Sequence, residues 1–195
     1  MILQILIRMY ITMMPVILAG ILNMIWVKTP FVRKHNIPMD RGILLRDHRR
    51  LLGDNKTWLG FFGMVVAGMI AQTAWGAVCK YAFPNLSYLY YYHDNTVGFN
   101  LLVGAILGLT YMVFELPNSF IKRRIGIPDG KTVKGNRGVL FFVIDQIDSL
   151  IGDAIVFTFL YPMPVWQFFA YLVLGAGTHI IVNLILYKLH IRKNL

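Results

Sequence analysis

The stretch VGFNLLVGAILGLTYMVFELPNSFIKRR, residues 97–124, changes character along its length. Residues 97–117 are almost wholly apolar, and about 20 such residues are enough for a helix to cross the roughly 30 Å hydrocarbon core of a bilayer. The run ends in a proline, which is followed by the polar and basic segment NSFIKRR at 118–124. The stretch therefore predicts a membrane-spanning helix that collects polar groups at one end.

Four further apolar runs have a similar length, at about 2–27, 58–80, 139–160 and 165–188. The composition agrees, because 57% of the 195 residues are hydrophobic, only 14% are charged and the mean hydropathy is +0.59. The first run is longer than the apolar part of a signal peptide, and no small-residue cleavage site follows it. We therefore predict an all-α integral membrane protein with five transmembrane helices, forming a single membrane domain over residues 1–195.

Basic residues occupy alternate connections between these runs. The connections 28–57 and 118–138, together with the tail, hold 17 of the 19 Lys and Arg residues, whereas 81–96 and 161–164 hold none. Positively charged loops remain on the cytoplasmic side, so the N-terminus is predicted outside and the C-terminus in the cytoplasm. Topology and attraction to anionic lipid headgroups explain most of these charges by themselves. A chemical role therefore has to be argued from the acidic residues.

Four acidic residues fall within the predicted spans or at their ends: Glu115, Asp145, Asp148 and Asp153. Ionised groups at membrane depth are costly and normally face a cavity, a partner or an ion. Asp145 and Asp148 are three residues apart, so one face of a helix carries both carboxylates. They repel each other unless a cation lies between them. Magnesium, which takes one or two protein carboxylates, and a transferable proton both fit at this stage.

The end of the third run supplies positive charge. Polar residues recur there at spacings of three and four and form one helical stripe: Glu115, Asn118, Ser119 and Lys122. Pro117 is expected to weaken the helix at this point. Carboxylates that can hold magnesium, beside a cationic cluster at the membrane surface, suit a nucleoside triphosphate and a lipidic second substrate.

Four motifs, in order along the chain, resemble those of a known family: PMDRG at 38–42, GDNKTWLGF at 53–61, NSFIKRR at 118–124 and DQIDSLIGD at 145–153. Together they resemble the CDP-archaeol synthases, small five-helix membrane relatives of the CDP-diacylglycerol synthases. The Ser-x-x-Lys-Arg run followed by Asp-x-x-Asp is shared with the wider phosphatidate cytidylyltransferase superfamily. The resemblance covers most of the chain from residue 38 to residue 153.

The resemblance implies transfer of CMP from CTP to the phosphate of a membrane lipid, archaetidic-acid-like or phosphatidate, with magnesium and release of pyrophosphate. It implies that Asp145 and Asp148 hold the metal and that Lys122 and Arg123 complete the catalytic set. The implied substrate-binding residues are Asp40, Asp54, Lys56, Thr57, Asn118 and Ser119. The active site is then expected in loops 28–57 and 118–138 and at the ends of the third and fourth predicted helices, at 97–117 and 139–160. It is expected on the cytoplasmic face of the cell membrane. A homodimer remains open beside a monomer.

Two positions depart from the family pattern. Asn55 stands where a small residue or His is usual, and Leu59 stands where an Arg is usual. Arg49, Arg50 or Lys134 are candidates to replace that Arg. Asn136, Arg137 and Gly138 occupy the neighbourhood of the His-Gly-Gly element of the larger synthases, which favours the archaeol-type branch.

A small proton-coupled transporter that uses the four acids as a relay is the main alternative. It explains the acids but neither the Lys and Arg residues beside them nor the GDNKT loop. A non-catalytic scaffold would leave the acids without purpose. No nucleic-acid partner is expected, because the basic residues flank spans and lack interleaved aromatics. The single cysteine, Cys79, excludes an internal disulfide.

One skeleton, Asp-x-Lys-Thr-x-x-Gly-x-x-Gly, occurs twice, at 54–63 and 129–138. Neither copy is a Walker A loop. Each precedes a predicted helix that runs outward from a basic loop, which is a suitable place for a phosphate.

Overall fold

The protein is described by a computed structural model over residues 2–129, 131 and 135–188, without the side chain of residue 186. Over these residues the chain forms seven helices and no strand, with two isolated bridges in the first long loop. The helices are α1 (Ile2–Trp26), α2 (Pro30–His35), α3 (Trp58–Ala82), α4 (Tyr88–Tyr92), α5 (Val97–Arg124), α6 (Asn136–Leu160) and α7 (Val165–Lys188). The predicted all-α class is confirmed.

Four stretches are long and apolar enough to cross a membrane: α1, α3, α5 and residues Val165–Ile185 of α7. They confirm an integral membrane protein. Helix α6 has the same 25-residue length as α1 and α3, but it carries three aspartates and does not belong to this set. The fifth span therefore stays a prediction.

Helices α3 and α5 run antiparallel with their backbones in direct contact. A Cβ atom on Gly104 would lie 2.3 Å from the carbonyl oxygen of Gly68, and one on Gly108 would lie 2.5 Å from that of Met64. Glycine alone permits this approach, as small residues do at many helix interfaces in membranes. The contact brings the loop that precedes α3 beside the C-terminal half of α5.

The other helices pack around this pair in alternating directions. The ring of Phe114 on α5 covers Gly152 of α6, where a Cβ atom would lie only 2.7 Å from it. Phe157 of α6 packs on Tyr171 of α7, with ring centroids 5.0 Å apart. Helix α1 packs along α3. It meets α7 where the Thr178 hydroxyl donates to the Tyr10 hydroxyl at 3.2 Å. The start of α1 and the end of α7 therefore lie at opposite ends of the bundle.

Helix α5 continues through Pro117 to Arg124, past the end of the apolar run at residue 117 and in agreement with the helical stripe predicted through Lys122. Pro117 lacks the N–H group that the helix would use, so one backbone hydrogen bond is lost. The helix continues because the turn after Pro117 packs against α6, where Asn118 donates to two aspartates. The polar stripe thus extends to the end of the helix.

At the opposite end of the bundle, the tyrosine-rich connection contains the short helix α4. Tyr88 of this helix stacks on Tyr161, which follows α6, with ring centroids 5.0 Å apart. The Tyr90 hydroxyl donates to Asn100 of α5 at 2.7 Å. These contacts hold the connection against the bundle.

The loop between α2 and α3 closes on itself around Asp40. Its buried carboxylate accepts hydrogen bonds from the backbone N–H groups of Gly42, Leu52 and Gly53 at 3.2, 2.9 and 2.9 Å, and from the Arg50 guanidinium at 2.6 Å. Burial favours the neutral acid, but the hydrogen bonds from Arg50 and the backbone outweigh it. They hold the pKa of the Asp40 carboxyl well below its ordinary value.

Replacement of Gly104 by alanine tests the contact between α3 and α5. The added methyl group would overlap the Gly68 carbonyl, so we expect Gly104→Ala to destabilise the protein by about 1–3 kcal/mol. Thermal unfolding in detergent measures the effect. Gly98→Ala is the matched control on the same helix, because nothing lies within 4 Å of the position that its added methyl group would take. Equal midpoints for the two variants would contradict the close packing.

Replacement of Asp40 by asparagine tests the loop. We expect backbone amides of Leu52 and Gly53 to exchange with solvent about tenfold faster or more in Asp40→Asn, because a charged acceptor is lost. Hydrogen exchange by mass spectrometry measures this. Asp54→Asn is the control, since it removes only a surface ion pair to Arg50 from a side chain that is 68% exposed.

The stability of this loop should decrease in acid. Folding lowers the pKa of Asp40, so the stabilisation that its carboxylate gives is fully present above the ordinary pKa of 3.8. That stabilisation is lost as the pH falls through the lowered pKa. If the Leu52 and Gly53 backbone amides exchange equally slowly in wild type and Asp40→Asn, the carboxylate does not hold the loop.

Candidate functional site

The two basic connections lie against each other at one end of the bundle. Arg124, at the end of α5, pairs with Asp47 at 2.5 Å. Asp129 accepts the backbone N–H of Asp54 at 2.8 Å and pairs with the Arg123 guanidinium at 2.9 Å. The structure thus joins loop 28–57 to the segment after α5, the two regions in which sequence reasoning located the site.

The residues just before α3 face in different directions. The Asp54 side chain is exposed and pairs with Arg50 at 2.8 Å. Thr57 is buried and caps α3, since its hydroxyl accepts the N–H of Gly60 at 3.2 Å. The carboxylate of Asp40, as described above, is hydrogen-bonded within the loop itself. The substrate-binding roles of Asp40, Asp54 and Thr57 stay predictions, and the contacts seen for them are structural.

Lys56 projects inward and forms an ion pair with Glu115 of α5. Burial lowers the pKa of the Lys56 ammonium. The carboxylate of Glu115, together with those of Asp148 and Asp145, raises this pKa by more than burial lowers it. The net pKa lies above the ordinary lysine value, so the side chain stays charged at neutral pH. The structure thus makes Glu115 the partner of Lys56.

The two aspartates of the Asp-x-x-Asp motif converge on one group. The side-chain amide of Asn118 donates to Asp145 at 2.6 Å and to Asp148 at 2.7 Å. Lys122 forms an ion pair with Asp145, and the other oxygen of Asp148 accepts the backbone N–H of Ser149 at 2.7 Å. The stripe on α5 and the acidic face of α6 therefore meet as their spacings predicted.

This pair of carboxylates has a donor set that fits magnesium. Two carboxylate oxygens that both lie within 2.7 Å of one nitrogen converge on one point, as two ligands of a small cation must. Among the described residues no group of three or more His, Cys, Asp or Glu side chains is placed to hold a metal ion. A magnesium ion here would therefore use Asp145 and Asp148 and take its remaining oxygens from water and phosphate.

A cavity of about 1110 Å³ opens beside these groups. Its polar wall contains Lys56, Glu115, Asn118, Ser119, Lys122, Arg123, Asp145 and Asp148. Its apolar wall comes from α1 and α7, including Gly20, Met24, Ile180 and Leu184. The volume exceeds that of an ordinary small-molecule pocket, which is roughly 300–1,000 Å³. A charged ligand and an apolar chain can therefore share this space.

Three further cavity residues were not singled out for the site by sequence reasoning. The Tyr111 hydroxyl lies 3.2 Å from Nε2 of His179. Asp129 lines the cavity next to Arg123. Only Asp129 had a signal in the sequence, because it opens the second copy of the repeated skeleton. His179 and Tyr111 come together only through the packing of α7 near α5.

Some expected residues lie elsewhere. Asp153 is buried, accepts a hydrogen bond from Thr110 at 3.2 Å and does not line the cavity. Arg49 and Arg50, candidates to replace the Arg missing at Leu59, are both used within the loop contacts. Lys134, with Gly130, Thr132 and Val133 of the second repeated motif, lies outside the described residues.

Comparison with known proteins gives consistent matches over most of the chain. A family model described as CarS-like CDP-archaeol synthase matches residues 2–195. The CDP-archaeol synthase of Archaeoglobus fulgidus is 32% identical, with 89% of this chain and 96% of that protein covered. The CDP-archaeol synthase of Methanospirillum hungatei is 36% identical, with 80% and 88% covered.

One solved structure, described as an intramembrane enzyme for archaeal membrane lipids biosynthesis, has a similar fold. The TM-score is 0.56 at 24% identity, and the match covers 90% of this chain and 92% of the other. This likeness supports the fold alone, whereas the family model and the relatives identify the family. The chain belongs to the CDP-archaeol synthase family.

Proposed function

We propose that this protein transfers CMP from CTP to the phosphate of an archaetidic-acid-type ether lipid, forms the CDP-lipid and releases pyrophosphate, with magnesium held by Asp145 and Asp148. Its family makes it a CTP-dependent lipid cytidylyltransferase of membrane lipid biosynthesis. The relatives are named for an archaeol product, which favours the ether lipid. Phosphatidate is the alternative, because it carries the same phosphate on different tails.

The observation that carries the proposal is the division of the cavity. The paired aspartates and the cations line one wall, and apolar side chains of α1 and α7 line the other. A lipid phosphate can place its tails along the apolar wall while its headgroup reaches the polar wall. The nucleotide needs only the polar wall and the adjoining loop.

The reaction requires little covalent chemistry from the protein. An oxygen of the lipid phosphate attacks the α-phosphorus of CTP, a new P–O bond forms, and the bond to the β-phosphate breaks with loss of pyrophosphate. A phosphate dianion needs no general base. When bound, magnesium would neutralise phosphate charge and orient the triphosphate.

The side chains bind and orient. Lys122 and Arg123 neutralise the charge that develops on the leaving pyrophosphate. Lys56, kept protonated by Glu115, adds a third cation to the same wall. Asn118 holds the two carboxylates together, and Ser119 lines the cavity beside them.

We further propose five spans, with the N-terminus outside and the site and C-terminus on the cytoplasmic side of the cell membrane. The distribution of basic residues and the length of α6 support this arrangement. A cytoplasmic site also meets CTP where nucleotides are available. The transporter alternative is set aside, because the family is one of enzymes and Glu115 and Asp145 are each paired with a lysine.

A transfer assay tests the activity. Purified protein, magnesium and labelled CTP are combined with archaetidic acid or phosphatidate, and label in the lipid fraction is measured. We expect Asp145→Asn and Asp148→Asn each to lower the rate at least about a hundredfold, because both carboxylates are assigned to the metal.

Asp94→Asn is the matched control for this assay. Asp94 is exposed in the connection after α4, at the opposite end of the bundle from the aspartate pair, and should leave the rate unchanged. The proposal fails if wild type labels neither lipid. Greater labelling of phosphatidate would overturn the assignment of the ether lipid.

The pH dependence of the rate tests the pairing of Lys56 with Glu115. Glu115→Gln removes the carboxylate that raises the pKa of Lys56, while the effect of burial remains and lowers it. We therefore expect the alkaline limb of kcat/KM to move to lower pH in Glu115→Gln. Glu115→Asp keeps the charge and should stay close to wild type. Superimposable profiles for wild type and Glu115→Gln would show that Lys56 does not need this partner.

A further inference from the structure

We propose that Arg123 and the backbone at Gly53 and Asp54 form a subsite for a phosphate group, and that the carboxylate of Asp129 occupies this subsite in the unliganded protein. The inference rests on the proposed function only for the source of the phosphate, which is the nucleotide or the lipid. It assigns Asp129 the role of an internal competitor that leaves when the substrate binds.

The Asp129 carboxylate sits in the space that a side chain of residue 53 would fill. A Cβ atom on Gly53 would lie 2.1 and 2.5 Å from the two carboxylate oxygens, so a larger residue here would displace the Asp129 carboxylate. Gly53 also has a φ angle of +100°, which disfavours other residues. One oxygen accepts the N–H of Asp54 at 2.8 Å. The glycine thus lets an anion approach the backbone closely.

Arg123 supplies the charge of the subsite and retains an unused donor. One terminal nitrogen of its guanidinium pairs with Asp129 at 2.9 Å, and the other donates to the carbonyl of Ile127. Its Nε atom is buried without a hydrogen-bond partner in the structure. The Asp129 oxygen that pairs with Arg123 is itself buried without a hydrogen-bond partner, so the carboxylate matches the guanidinium poorly. A phosphate presents three or more oxygens. A phosphate can therefore satisfy the Nε donor that Asp129 leaves unpaired.

The subsite opens into the catalytic cavity. Arg123 and Asp129 line the same space as Lys56, Lys122 and Asp145. An anion that replaces the Asp129 carboxylate therefore lies on the polar wall described above. Glycine-lined backbone together with an arginine is a common way of binding phosphate.

Asp47 and Arg124 provide an internal comparison. They also form an ion pair, at 2.5 Å, between the loop and the end of α5. Neither residue lines the cavity. Both ion pairs join the same two segments, but only the pair of Asp129 with Arg123 lines the cavity.

Asp129→Asn tests the proposal, with Asp47→Asn as the matched control. Binding is measured by calorimetry on the full-length protein in detergent with magnesium. The two probes are inorganic pyrophosphate and a short-chain dialkylglycerol phosphate, each used alone so that no transfer occurs. We expect Asp129→Asn to tighten binding of at least one probe about tenfold, because a competing anion is replaced by a neutral group of the same shape. Asp47→Asn should change neither affinity by more than about twofold.

The two probes separate the sources of the phosphate. Tighter binding of pyrophosphate alone assigns the subsite to the nucleotide, and tighter binding of the lipid phosphate alone assigns it to the lipid. Unchanged or weaker binding of both probes by Asp129→Asn overturns the proposal, and so does equal tightening by Asp47→Asn. Neither probe requires turnover, so a wild type without transfer activity would refute the proposed function and leave this test intact.

Discussion

The backbone contact between α3 and α5 is the constraint on which the site depends. Gly68, Gly104 and Gly108 remove the side chains that would separate the helices, and this fixes their register. The loop before α3 must then meet the C-terminal half of α5, which brings Lys56 to Glu115. A wider separation would leave two buried charges without partners, and each would carry a desolvation cost. The close packing at these glycines therefore determines where the ion pair of Lys56 with Glu115 lies.

Three of the cations that line the cavity each have a carboxylate beside them. Lys56 pairs with Glu115, Lys122 with Asp145 and Arg123 with Asp129. At membrane depth such pairing lowers the cost of holding charge in the absence of substrate. Substrate phosphates can exchange with these carboxylates without creating a new unpaired cation. The arrangement keeps the cavity strongly polar on one wall while the protein remains stable.

Much of the architecture was accessible from periodicity and length. The five apolar runs correspond to the five long helices, because a segment in lipid must satisfy its backbone internally and helices do so. The helical stripe through Lys122 predicted that α5 continues past Pro117, and packing against α6 offsets the local loss of helix stability at the proline. The facing of Asp145 and Asp148 was predicted correctly, because a three-residue spacing fixes a shared helical face whatever the helix packs against.

The amino-acid sequence by itself determined the helical membrane class, the clustering of basic residues and the motifs of the CDP-archaeol synthase family. These are local properties of composition, spacing and order. Tertiary structure alone decided that Glu115 partners Lys56, that Asp40 holds its own loop and that Asp129 reaches the backbone of Gly53. Asp129 and Gly53 are separated by 76 positions, so no local pattern relates them. Their contact arises because the start of α3 and the end of the antiparallel α5 lie at the same side of the bundle and bring two distant loops together.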